Sequence, residues 1–270
     1  TRDKNQKGSG YKPYMRWENH WKNKTNSQGY LITPQEMWEA FNLKKAARNN
    51  SSSSVPTSIW EPVGPLNHIN TGSWSSGQGR VNVVYVDPSN ENTIYIGTPA
   101  GGIWKSTTGG TNWMPLSDNL PQIGVSGIAV DPTNSDIIYI ATGDKDASDS
   151  YSVGVMKSTD GGLTWNTTGL SFTNTNTFAG DIVINPTNVN ELLVATSDGI
   201  YKTSNAGTTW SQVRTGSFSQ GTIRLKPNNP NTVYAVSNNR FVRSTNFGST
   251  FTTITSGLPT NSSRMLLDVT

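Results

Sequence analysis

Three aspartates, Asp144, Asp146 and Asp149, fall within six residues of one polar stretch running from Gly143 to Ser152. Hard cations such as Ca²⁺ take several carboxylate and carbonyl oxygens, which such a stretch can supply. It lacks the glycine and the twelfth-position glutamate of an EF-hand, so Ca²⁺ is a candidate cofactor and a solvated acidic loop the plainer alternative. Arg80 and Tyr151 are candidate ligand-facing groups, with a structural ion pair the alternative for the arginine. Two histidines far apart, His20 and His68, support neither a catalytic triad nor a histidine metal site. The chain has no cysteine, which excludes disulfides and thiolate metal sites. No residue is singled out as catalytic.

What positions these residues is a repeat. Ser158-Thr159-Asp160-Gly161-Gly162-Leu163-Thr164-Trp165 recurs, altered, three more times. The matching positions are Ser106, Gly110 and Trp113 before it, then Thr203, Asn205, Gly207 and Trp210, then Ser244, Asn246, Gly248 and Phe251. The pattern describes a tight hairpin corner. The Asx side chain can accept from the backbone N–H two residues on, and Gly takes a positive φ. Hydroxyls satisfy further turn groups, and the aromatic opens a strand and packs on the sheet. A turn used four times is scaffold, which argues against a catalytic Asp160.

Around each corner the same strands repeat. A first strand ends at Pro88, Pro132, Pro186 or Pro227, a second follows, a third runs into the corner, and a fourth starts at its aromatic. Four strands every 41 to 54 residues is a β-propeller blade. The predicted fold is therefore all-β: about four complete blades over residues 56–270, preceded by a basic, aromatic extension over 1–55 with one or two helices. Ser58–Val63 resembles a fourth strand, and Met265–Val269 resembles the first strand of a fifth blade. The expectation is the N-terminal part of a longer propeller, its ring incomplete. The second blade carries an insertion of about eight residues, at the Asp144 stretch, and insertions in repeats map to loops on one face, often the binding face.

In the extension, Tyr14, Trp17 and Trp21 share one helical face, expected to lie against the main domain. Thr33-Pro34-Gln35-Glu36 is a capping box opening a helix to about Arg48. Residues 1–50 hold 10 Lys/Arg against 4 Asp/Glu, and residues 51–270 hold 11 against 14. A basic arm thus precedes a mildly acidic body, which does not suggest nucleic-acid binding. Mean hydropathy is −0.51, and no apolar run approaches the ~20 residues of a membrane helix.

The recurring corner resembles the Asp-box, or bacterial neuraminidase repeat, of sialidases, Vps10/sortilin-like receptors, xyloglucanase-like glycoside hydrolases and photosystem II assembly factors. The resemblance covers residues 80–251 and is specific for fold rather than activity. Xyloglucanase-like hydrolases imply a catalytic carboxylate in a Thr-Asp-x-Gly-Gly stretch of the first blade. Here that stretch is Thr98-Pro99-Ala100-Gly101-Gly102, with Pro99 in place of the acid. The sialidase Arg-Ile-Pro motif is absent. The aromatic basic leader and Thr142-Gly143-Asp144 resemble large secreted Bacteroidetes proteins with Vps10/sortilin-like propellers exported by type IX secretion. That likeness implies a secreted or cell-surface recognition module binding glycan or protein, with secretion or outer-membrane machinery as a further partner. The alternative is a polysaccharide hydrolase whose acids lie outside this segment.

Overall fold

A computed structural model of the chain describes residues 6–22, 24–49, 79–121, 123–146, 150–218, 220–237, 240–258 and 265–270. Ser58–Val63, His68 and Asp149 lie outside the described residues, as does the expected boundary near residue 55. Two helices come first, α1 (Tyr11–Trp21) and α2 (Pro34–Asn49). Sixteen strands then form four separate antiparallel sheets, each joined in simple sequence order. Blade one is β1 (Val83–Asp87), β2 (Asn90–Gly97), β3 (Ile103–Ser106) and β4 (Met114–Pro115). Blade two is β5 (Val125–Asp131), β6 (Asn134–Thr142), β7 (Val155–Ser158) and β8 (Asn166–Thr167). Blade three is β9 (Ala179–Ile184), β10 (Leu192–Thr196), β11 (Gly199–Thr203) and β12 (Ser211–Thr215). Blade four is β13 (Ile223–Lys226), β14 (Asn229–Ser237), β15 (Arg240–Ser244) and β16 (Thr252–Ile254).

The first strands neighbour one another in the order β1, β5, β9, β13, which is the radial arrangement of a propeller. Sheet alternation puts every other residue on each face, so a blade buries both faces between neighbours. Three apolar clusters fill the three seams. Tyr95 and Ile103 of blade one meet Ile128, Ile138 and Met156 of blade two. Tyr139 and Val155 meet Ile182 and Leu192, and Leu193 and Ile200 meet Ile223 and Val242. One face without a neighbouring blade among the described residues is on blade one. There Val84 and Val86 are 59% and 48% exposed, whereas their register counterparts Ile128 and Val130 are 6% and 4% exposed.

The corners form as tight turns, with one correction to the bonding read from sequence. The leading hydroxyl accepts two backbone N–H groups: Ser158 Oγ from Asp160 (3.3 Å) and Gly162 (2.8 Å), and likewise Ser106, Thr203 and Ser244. The Asx oxygen reaches four residues on, not two: Asp160 Oδ1 accepts from Thr164 N (2.8 Å), Asn205 Oδ1 from Thr209 N and Asn246 Oδ1 from Thr250 N. An eight-residue turn requires the longer reach, because the shorter one is already taken by the hydroxyl. The two-residue Asx bond appears instead where first strands end, at Asp87, Asp131 and Asn185, which accept from Ser89, Thr133 and Thr187.

At each of the last three corners the glycine seats the turn on the preceding blade. A Cβ on Gly162 would strike Leu116, and one on Gly248 would strike Leu193. A Cβ on Gly207 would press on Thr168. The corner is thus both a turn and a clip between sheets.

Residues 265–270 run beside β13. Leu267 N donates to Thr222 Oγ1 (2.8 Å), which donates in turn to Leu267 O (3.1 Å). At the preceding seam Ile223 N donates to Asp181 Oδ2 in the same way (3.1 Å). The segment therefore occupies the place of a next first strand, though it pairs in no sheet.

The capping box of α2 closes reciprocally, Glu36 N to Thr33 Oγ1 (3.2 Å) and Thr33 N to Glu36 Oε2 (2.7 Å). The latter bond is the main reason the Glu36 carboxyl lies below the usual value. Trp38 of α2 packs against the cluster between blades one and two. α1 departs from expectation: none of its residues is buried, and Trp17 is 60% exposed, so its aromatic face is not laid on the propeller. No helix among the described residues is long and apolar enough to cross a membrane.

Candidate functional site

The elaborated face lies where the second-to-third strand turns of blades one and two meet the linker between them and α2. Thr98–Gly102 is a closed turn: Thr98 N donates to Gly102 O (3.0 Å), and Gly101 N donates to Thr98 Oγ1 (3.0 Å). Gly102 has φ +70, and its N–H donates to Ile123 O, tying the turn to the linker. The Pro99 carbonyl accepts the Ser150 hydroxyl at 2.5 Å. The blade-two insertion is therefore anchored over Pro99, where the sequence resemblance implies an acid. Among the described residues of the insertion, Asp144 has its carboxylate engaged by Arg80 and Asn82 rather than turned to this position.

Asp144 is fully buried, and its carboxylate accepts from the Arg80 guanidinium and from Asn82 Nδ2 (3.1 Å). Asp144 Oδ1 also accepts the backbone N–H of Asp146 (3.2 Å). Ser126 Oγ completes the knot, donating to Gly143 O and accepting from Lys145 N. Arg80 thus serves an ion pair across the first seam. Among the described residues no three His, Asp or Glu side chains are grouped to hold a metal, and Asp149 lies outside those residues. A carboxylate already neutralised by a guanidinium is a poor ligand for a second cation, so the described donors do not fit Ca²⁺. Removing Asp144 by Asp144→Ala takes from the partly buried Arg80 guanidinium the buried carboxylate that it binds. The expected loss is about 2 kcal/mol in chemical denaturation, less than for a fully buried pair because Arg80 can reach water. An unchanged midpoint would remove this role.

Tyr151 is half-buried and belongs to a shallow apolar cleft with Pro34, Met37 and Trp38 of α2, Pro121 and Ile123 of the linker, and Val153. This cleft was not visible in the sequence, because its two aromatics stand more than a hundred residues apart. The hint available was that a capped helix and an insertion each carry an aromatic, Trp38 and Tyr151.

Asp160 sits at its corner and not at the cleft. Its carboxyl is held down to about 2, chiefly by the Thr164 hydroxyl and N–H and then by Ser158. A group so acidic holds no proton to donate near neutral pH, which excludes a general-acid role. Because its folded value is depressed, its contribution to stability is present above the free carboxyl value of 3.8 and fades as pH falls towards 2. The melting-temperature gap between the parent and Asp160→Ala should therefore hold from neutral pH to about 4 and close below it. A gap that persists at pH 2 would show that the carboxylate charge is not what holds the turn.

The four sheets define blades of a β-propeller, and the comparisons find it similar to proteins named xyloglucanases. No family model matches the chain. It is 31% identical over 152 residues to a Paenibacillus xyloglucanase, covering 51% of this chain and 15% of that protein. It is also 31% identical over 144 residues to a Hypocrea jecorina xyloglucanase, covering 51% and 13%. In structure it is similar to the GH74 enzyme of Niastella koreensis, with TM-score 0.54, 26% identity and coverage of 68% of this chain and 30% of that one. The chain spans less than a fifth of the length of the curated relatives it matches.

Proposed function

We propose that this chain is a propeller segment of a secreted or cell-surface protein directed at β-glucan polysaccharide. The polysaccharide would bind over the elaborated face of blades one and two, with Tyr151 and Trp38 offering their rings to the sugar. The observation that carries this reading is the similarity to xyloglucanases across the propeller itself. Hydrolysis needs two carboxylates flanking the bond. With Pro99 at one expected position, the acids of an active protein would come from outside residues 1–270.

Chain 1–270 is expected to bind xyloglucan without releasing reducing ends, and Tyr151→Ala to weaken that binding about fivefold or more, since a stacked aromatic contributes about 1 kcal/mol. Absence of xyloglucan and cello-oligosaccharide binding by the whole protein would end the proposal. The occupation of the acid's place by Pro99 favours a second reading, a recognition module without turnover, whose ligand is glycan or protein. Reducing-end release by the whole protein removes it. The Vps10/sortilin-like likeness and export by type IX secretion, with outer-membrane machinery as partner, belong to the same proposal. Cell fractionation of a strain lacking that export system tests them: retention of the protein inside the cell is expected, and unchanged release would refute the route.

A further inference from the structure

The charge of residues 51–270 averages two unlike parts. Residues 51–198 hold 13 Asp/Glu against 4 Lys/Arg, whereas residues 199–267 hold seven Lys/Arg and no Asp or Glu at all. Blade four and the outer half of blade three are therefore uniformly basic. Two of these bases cross the seam between blades three and four in opposite directions. Arg214, on the outermost strand of blade three, donates from Nη2 to Thr253 Oγ1 on the outermost strand of blade four (2.8 Å). Arg240, the first residue of β15, reaches back to blade three, where its guanidinium fills the space that a Cβ on Gly216 would need. Gly216 lies two residues beyond Arg214 and has φ +105, a conformation that favours glycine. The guanidinium seat is thus made by a missing side chain.

Among the described residues neither arginine has an acidic partner. The ion pairs of this half of the molecule join Arg224 to Asp181 and Asp268, and Lys202 to Glu191. Asp198, whose carbonyl accepts from Gly216 N, turns its carboxylate to the hydroxyls of Thr196 (2.6 Å) and Tyr201 (2.9 Å). Among the described residues both guanidinium groups belong to the seam of blades three and four, and the side-chain partner there is the neutral Thr253 hydroxyl, bound by Arg214. Guanidinium binds carboxylate through paired N–H donors, with both geometric fit and charge.

We propose that the Arg214–Arg240 seam binds carboxylates of an acidic, uronate-bearing polysaccharide. This rests on the preceding reading only in taking the ligand to be a glycan; the site, its charge and its chemistry are separate from the Tyr151 cleft. A nucleic acid fits less well. Its affinity comes from many phosphate contacts, often with aromatic rings on which bases stack. The seam offers two guanidinium groups, and Phe218, the aromatic nearest Gly216 in sequence, is fully buried.

The test is binding of polygalacturonate, xyloglucan and double-stranded DNA to chain 1–270 at low and near-physiological salt. Polygalacturonate should bind, more weakly as salt rises, because exposed charges are screened. The double variant Arg214→Gln with Arg240→Gln should lose at least about tenfold in affinity. Arg240→Lys, which keeps the charge but not the paired donors, should lose part of that. Lys226→Gln and Arg243→Gln, at the corner end of blade four, should lose nothing. Xyloglucan binding should be unchanged in all of these variants, with unchanged melting temperatures as the check on folding. No polygalacturonate binding by the parent, or equal binding by the double variant, overturns the proposal. DNA bound more tightly than polygalacturonate, and lost in the double variant, reassigns the seam to nucleic acid and overturns it too. Polygalacturonate binding without xyloglucan binding would sink the β-glucan reading and leave this one standing.

Discussion

Gly154→Ala is expected to cost about 2–5 kcal/mol and to lower the melting temperature more than any other single added methyl along the third strands. Gly154 has φ +95, and its Cβ would run into the carbonyl of Leu170. That carbonyl accepts the N–H of Val155 at 3.0 Å, so it cannot retreat without breaking the bond that starts β7. The Gly154 carbonyl is itself held by Thr142, through the backbone N–H (3.0 Å) and the hydroxyl (2.7 Å). Backbone on both sides leaves the turn no direction in which to relax. The device recurs: Gly102 faces Ser117 Oγ and Gly199 faces the Arg214 carbonyl, each at the entry to a third strand. Gly161→Ala is the matched control. It also has positive φ, but its Cβ would meet only Asp136 Oδ1 at 3.4 Å, and blade three already carries Ala206 at the equivalent position with φ 54. Its cost should stay near 1 kcal/mol or below. Thermal melts of both variants decide the matter; a Gly154→Ala protein as stable as Gly161→Ala would show that the turn yields.

Much of this architecture was written in short-range pattern. A hydroxyl, an Asx, a glycine and an aromatic at fixed spacing specify a turn whose bonds are nearly all local, so the four corners and their sixteen strands could be placed by counting. Local pattern also gave the α2 cap, since Thr33 and Glu36 satisfy each other within one turn. What it could not give was anything decided between blades. The positive φ at Ala206 and Phe247 is one example, Phe247 being buried with the Lys202 ammonium 5.3 Å from its ring. Asp144 is another: three acids in six residues suggest a cation loop until Arg80, 64 positions away, is seen to take the first of them. The fate of α1 was equally hidden, because an aromatic stripe says that a face is apolar and not what covers it. The candidate cleft joins α2 to an insertion, and no periodicity links the two. Residues that make the fold were therefore legible, while residues that make the site depended on long-range contacts.

The strongest test of the corner as an interblade clip compares two tryptophans that occupy the same place in the repeat. Trp165 is 8% exposed within the first seam, and its Nε1 donates to the carbonyl of Leu116 in the preceding blade at 2.8 Å. Trp113 is 38% exposed, and among the described residues no blade precedes it. Trp165→Ala removes a buried indole and leaves the Leu116 carbonyl without its donor, an expected loss of about 3–5 kcal/mol. Trp113→Ala, although the same chemical change in the same sequence context, should cost about 1 kcal/mol or less, because little of that ring leaves water on folding. Trp165→Phe separates the two contributions: it keeps most of the apolar surface and loses the hydrogen bond, so about 1–2 kcal/mol is expected. If the corner were only a local turn device, the two alanine variants would be destabilised alike, since the turn bonds to Ser106 and Ser158 are equivalent. A difference of several kcal/mol in denaturant midpoints would place the energy in the seam. Near-equal losses would mean that the sheets are held by their first strands and that the clip is incidental.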